Sequence, residues 1–242
     1  MKPVLSISLF AIIASLALLS TDAIAGKRGK TSTSTSLDAT EASHLTFMRE
    51  EEKLARDVYL TFADMYPNQR TFSNIATRAE QTHTDTMRDR LDMYNLDDPN
   101  PTTNDRDAAG ELINIGVFTG QEWGSYFEEK FELLTTLGEG GELAALKAGA
   151  YIEELDMHDI AFCPEVMSEA GYGIVKKGNR IITGPCGLEY TDEAGLISAY
   201  NALISGSESH LRAYVGQIEA ITGESYVAQY LTQKEVDAIL AK

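Results

Sequence analysis

Glu80-Gln81-Thr82-His83 sets a carboxylate and an imidazole three residues apart, the spacing that puts two side chains on one helical face a turn apart. Turned into a core, such a pair is costly unless a partner compensates its desolvation. A divalent metal ion does so, because oxygen and nitrogen donors together suit iron and manganese. Glu51, Glu153, Asp156 and His210 are the other residues of suitable type that fall inside apolar patterns.

Helices must carry these groups. The segment 71–94 repeats Phe72, Ala76, Met87, Leu91 and Tyr94 at helical spacing, with Glu80 in mid-stripe and His83 one turn on. A helix over 45–65 has Phe47, Met48, Leu54, Ala55, Val58 and Phe62 as its stripe. Three consecutive glutamates interrupt it. An advance of about 100° per residue places Glu51 at the stripe centre, with Glu50 and Glu52 to either side. A third helix, 142–162, surrounds Glu153 with Leu146, Gly149, Ala150, Met157 and Ile160; Asp156 stays inward and Glu154 points sideways. The fourth, 192–221, centres on His210 and stops at Gly223. His44 and His158 fall off the stripe centres and are expected in solvent.

Between the second and third helices lies a long connection, rich in Asp, Asn, Pro and Gly over 95–118. Asp105, Asp107 and Gly110 approach a calcium-loop pattern, but Ala109 and Gly116 stand where ligands are needed. Thr119 and Glu122 have capping-box spacing, which predicts a crossover helix to about Leu137. Between Cys163 and Cys186 the pattern changes to two short strands meeting at Gly178-Asn179, a two-residue hairpin loop. Thr232 and Glu235 form a second capping-box pattern before a short terminal helix.

The first 25 residues read as a secretory leader: Lys2, an apolar run, then Ala23-Ile24-Ala25. Residues 26–43 read as a flexible Ser/Thr-rich segment, and 44–242 as the folded domain. The leader carries one Lys and one Asp, so the net charge of −17 survives its removal. That charge argues against nucleic acid and anionic membrane partners and favours cations. No other stretch is long enough to span a bilayer. Export to a periplasmic or extracellular space would join Cys163 and Cys186 in a disulfide pinning the hairpin.

Taken in order, a single Glu, Glu-x-x-His, a long crossover, another Glu and a His match the ferritin-like pattern, in which an antiparallel four-helix bundle holds two metal ions. One member differs: Ser207 stands three residues before His210, where that pattern has Glu. Asp156 is the expected replacement from the neighbouring helix. The stretches M-R-E-E-E-K-L-A-R-D-V-Y (48–59), F-S-N-I-A (72–76), E-Q-T-H (80–83), G-V-F-T (116–119), I-E-E-L-D (152–156) and S-H-L-R-A-Y (209–214) resemble a bacterial ferritin-like family known as domain of unknown function 2202. The resemblance implies a ferritin-like bundle, with 163–186 as an insertion. The expectation is an all-α metalloprotein holding iron or manganese through Glu51, Glu80, His83, Glu153, Asp156 and His210, acting in ferrous oxidation or on peroxide or dioxygen. The alternative is an interaction module that keeps the inward polar residues for structure alone. Metal content separates the two.

Overall fold

The computed structural model describes residues 36–177 and 180–242. The expected leader over 1–25 lies outside them. Among the described residues the regular structure is helical apart from one small pair of strands.

Helix α1, Ala39–Met65, starts six residues before the expected position. Asp38 accepts from the Thr40 and Glu41 amides while the Glu41 carboxylate accepts from the Asp38 amide, a reciprocal cap the sequence spells as D-x-x-E. Residues 39–43 are therefore helix rather than flexible segment, and Glu41 and Ser43 are buried. The next segment is helical from α2, Arg70–Asn74, through a π-helical turn, Ile75–Glu80, into α3, Gln81–Met93. Within the crossover, α4 runs Gly124–Gly138. It starts later than the Thr119/Glu122 pattern predicts, because both residues have other partners. Thr119 Oγ1 donates to the Pro99 carbonyl, and Glu122 accepts from Ser43 and Tyr172.

Helix α5, Glu142–Ala161, and helix α7, Ala194–Thr222, pack along each other. Gly223 ends α7 at φ +71°, a conformation in which a β-carbon would be strained. Between them lie the short α6, Glu165–Glu169, and strands β1, Ile174–Lys177, and β2, Arg180–Thr183, paired antiparallel from Ile174↔Thr183 to Lys177↔Arg180. The Gly178-Asn179 turn lies outside the described residues. Cys163 and Cys186 form a disulfide. Helix α8, Gln233–Leu240, carries the expected Thr232–Glu235 capping box.

Helix α1 is the hub. It packs against α3 and the π-helical turn, against α4 and against α5, and every residue from Phe47 to Tyr59 is buried. A helix with no solvent face needs three kinds of surface. Leu45, Met48, Glu52, Ala55, Tyr59 and Phe62 repeat at spacings of three and four and make one face, where Tyr59 meets Tyr214 and Phe62 meets Phe72. Phe47, Glu51, Leu54 and Val58 make another, with Phe47 against Trp123 and Phe127. Arg49, Lys53 and Arg56 make the third, beneath the crossover loop.

Candidate metal centre

Glu80 closes the π-helical turn and sits at the centre of the cluster. Its Oε1 lies 2.8 Å from His210 Nδ1 on α7, and its Oε2 lies 3.4 Å from His83 Nδ1 on α3. One donor atom from each of Glu80, His83 and His210 lies within 4.8 Å of those of the other two. The two imidazole rings are 5.4 Å apart. The π-helical turn widens the helix by one residue just before Glu80, a local distortion that recurs at functional sites. Straight-helix periodicity over 71–94 gives no sign of it.

Two further carboxylates approach the imidazoles. Glu52 Oε2 of α1 lies 3.2 Å from His83 Nδ1, and Glu153 Oε2 of α5 lies 3.3 Å from His210 Nδ1. Tyr59 donates to Glu153 Oε1 at 2.6 Å, which fixes that carboxylate from the α1 side. Asp156, one turn after Glu153, accepts from Ser207 Oγ at 2.6 Å. Ser207 of α7 thus holds the neighbouring helix's carboxylate. Gly206 makes room for this arrangement: a β-carbon there would lie 2.4 Å from His83 Nε2.

Glu51 requires a correction. The wheel places it inward, yet it is Glu52 that meets His83, while Glu51 lies on the face toward α4 with Leu54 and Tyr126. The stripe used for the wheel mixed two faces of a fully buried helix. The signal for Glu52 was present: it is the only charged residue in the series 45, 48, 52, 55, 59, 62. Glu51 is also buried, near Asp159, Asp156 and Glu52, and these with burial push its carboxyl well above the usual range. His44 needs a correction too. It is fully buried, its Nδ1 2.9 Å from the Tyr200 hydroxyl and its Nε2 2.9 Å from the Asp159 carbonyl, and burial pulls it down to about 4. Half-buried His158 lies 2.7 Å from Asp159. Glu154, expected to point sideways, is buried and accepts from the amides of Gln229, Tyr230 and Leu231 and from Tyr226, anchoring the C-terminal segment.

The electrostatics show a need for positive charge. Burial would lower both imidazoles, but carboxylates outweigh it. Glu80 and Glu52 push His83 up to about 12, and Glu153 and Glu80 push His210 up to about 10. Burial raises Glu80 less than His83 and His210 lower it, so it stays ionised. Burial raises Glu52 to about 7, and burial with the charges of Glu52 and Glu153 lifts Asp156 well above its usual range. Without a cation, the cluster holds protons instead.

The donor set fits a hard or borderline divalent cation. Glu52 Oε1, Asp156 Oδ1, His83 Nδ1 and His210 Nδ1 are buried with no directed hydrogen bond. Such atoms occur elsewhere too, at Arg49, Glu50 and Trp123 among others, but four of them meet in this one cluster. Glu52, Glu80, His83, Glu153, Asp156 and His210 would supply the ligands.

A family model described as an uncharacterized protein domain, DUF2202, matches residues 41–171 and 186–242. It leaves out the segment that holds β1 and β2. The uncharacterized protein MJ0754 of Methanocaldococcus jannaschii is 35% identical over 201 residues, covering 83% of this chain and 86% of that protein. A crystal structure of the same hypothetical protein superposes with a TM-score of 0.63 at 33% identity, covering 85% of this chain and 94% of that one.

Proposed function

The chain belongs to the DUF2202 family, and we propose that this member is an exported, ferritin-like metalloprotein whose four long helical segments form a bundle around an iron or manganese site, most simply a dinuclear one. The observation that carries this reading is the convergence of Glu80, His83 and His210 among buried, unpartnered carboxylate oxygens. The order Glu52, Glu80/His83, crossover, Glu153, His210 supports the ferritin-like assignment. Export is supported by the disulfide; among the described residues no helix is long and apolar enough to cross a membrane.

Iron or manganese bound there would supply electron transfer by changing oxidation state, the property needed for ferrous oxidation or for handling peroxide or dioxygen. The chain's residues do the rest. Glu80 lies between the two imidazoles and would anchor both halves of the site. Glu52 and Glu153 carry the charge that balances a cation on either side. Tyr59 orients Glu153, and Ser207 orients Asp156 so that its other oxygen is left unpartnered. Packing of α1, α3, α5 and α7 keeps the carboxylates dry, which strengthens their hold on charge.

Metal content of untagged protein, after reconstitution with ferrous iron or manganese, tests the reading. About two ions per chain is the expected result for such a site, and Asp156→Ala should lower it toward one. Ser207→Glu in that background should restore part of the loss, because it returns a carboxylate to the His210 face. Absence of bound metal, with thermal stability unchanged by either ion, would leave the interaction-module alternative.

A further inference from the structure

A slot of about 440 Å³ lies between α4 and α5 with Glu51 and Leu54 of α1 at its base, and none of Glu52, Glu80, His83, Glu153, Asp156 and His210 lines it. Its size suits one small ligand. Leu134 and Phe127 of α4 and Ala148, Ile152 and Leu155 of α5 form its walls. From Tyr126 to Leu137 it follows α4 for three turns, a length of roughly 16 Å at the helical rise. At its mouth Leu133 and Leu137 are 54% and 53% exposed. Two bare leucines over an apolar slot mark a binding surface more than a solvent face.

Charge narrows the occupant. Besides Glu51, buried at the base, the charged residues lining the slot are Lys130 and Lys147. Lys130 lies over the Tyr126 ring at 5.1 Å, which holds its ammonium group beside the slot. Two lysines at an apolar opening, on a chain of net charge −17, complement a ligand that is aliphatic along its length and anionic at one end. A second copy of the chain fits less well, because two chains of net charge −17 repel each other. A compact aromatic ligand would leave the aliphatic end at Leu133 and Leu137 unfilled.

We propose that this slot binds a long-chain carboxylate, its hydrocarbon chain lying between α4 and α5 and its carboxylate held at the mouth by Lys130 and Lys147. The site is separate from the proposed metal centre and needs no metal.

The test is displacement of a dansyl-labelled undecanoate from purified, metal-free protein, so that its outcome is independent of metal loading. Laurate should displace the probe at lower concentration than dodecanol, and dodecyltrimethylammonium should be weakest. Lys130→Glu with Lys147→Glu should weaken laurate by at least about tenfold, the scale of losing charge-assisted contacts, and leave dodecanol within about twofold. Leu133→Glu, at an exposed position that tolerates change in the fold, should weaken laurate and dodecanol together. Equal affinity for the three amphiphiles, or laurate binding unaltered by the lysine reversals, would overturn the proposal. Probe binding that survives Leu133→Glu unchanged would place the ligand elsewhere and overturn it too. So would conversion of the chain to a dimer that excludes the probe.

Discussion

Helix α1 buries ionised groups on two of its faces, and the two faces solve the problem differently. Beneath the crossover, Arg56 pairs with Asp57 at 2.7 Å, Lys53 pairs with the same carboxylate, and Arg49 pairs with Asp98 at 3.0 Å. Loop carbonyls of Asn100, Thr103 and Asn114 accept from these cations, and Lys53 also sits 4.3 Å over the Phe118 ring. Positive and negative charges come from the chain itself. On the inner face, Glu52, Glu80, Glu153 and Asp156 face one another with no Lys or Arg among their ion pairs within the described residues, only His83 and His210. One region pairs its carboxylates with the chain's own lysine and arginines and fixes the crossover; the other sets four carboxylates against two imidazoles and balances them by holding protons. Buried charge alone therefore does not mark a functional site. Both faces hold unpartnered buried atoms, Arg49 Nε and Nη1 on one and Glu52 Oε1 and Asp156 Oδ1 on the other, so it is the sign of the imbalance that separates them.

The largest effect should come from unbalancing the region beneath the crossover. Asp57→Ala strands Lys53 and Arg56 and removes the acceptor of the Gly116 amide. It should cost about 3–5 kcal/mol in urea unfolding, the range for breaking a buried pair from one side, and manganese should not recover that loss. A loss under about 1 kcal/mol would mean the network is no more than a surface-like set of pairs.

The inner face should respond to metal and to pH. Manganese at a hundred times its dissociation constant should stabilise the protein by about 2.7 kcal/mol through linkage. His83 and His210 are raised to about 12 and about 10, so their stabilising contribution is complete below the unfolded value near 6.5 and is lost as pH climbs through the folded values. Glu52, raised to about 7, adds a penalty as pH rises through that value. Metal-free protein should thus weaken from pH 5.5 toward pH 8.5, and the metal-induced rise in Tm should grow over the same interval. A rise that is equal at both ends, or larger at the acid end, would contradict proton displacement from this cluster.

Glu52→Gln separates the two regions within a single helix. It removes a negative charge where charge is in excess, so metal-free stability should change by less than about 1 kcal/mol. Metal affinity should fall at least tenfold, about 1.4 kcal/mol. Titration calorimetry showing undiminished affinity would remove Glu52 from the site. The smallest effect is expected at Gly206→Ala, whose β-carbon would press on the His83 ring. Helix propensity favours alanine by up to about 1 kcal/mol, so net stability should move little. Metal affinity should still drop by a few-fold, because the imidazole must shift; binding equal to the parent chain would show that the ring is free to adjust.

How much of this was legible beforehand depends on whether a residue's role is local. Periodicity located the four long helices, though not the start of α1, and a cap located the short α8, because amphipathic spacing and terminal hydrogen bonds are written within a few residues. The Glu80/His83 pair and the isolated His210 were visible for the same reason, as polar residues inside apolar stripes. The choice between Glu51 and Glu52 was not. It depends on which of three buried faces looks toward α3 and α7, and that is set by how the crossover and α4 wrap α1. The burial of His44 under Tyr200, the π-helical turn before Glu80 and the Ser207–Asp156 bond likewise need partners distant in sequence. Residue types able to serve a metal, and the helices that carry them, can be read along the chain. Only tertiary packing decided which carboxylates share a chamber, because burying a helix on every side removes the solvent face from which a wheel takes its direction.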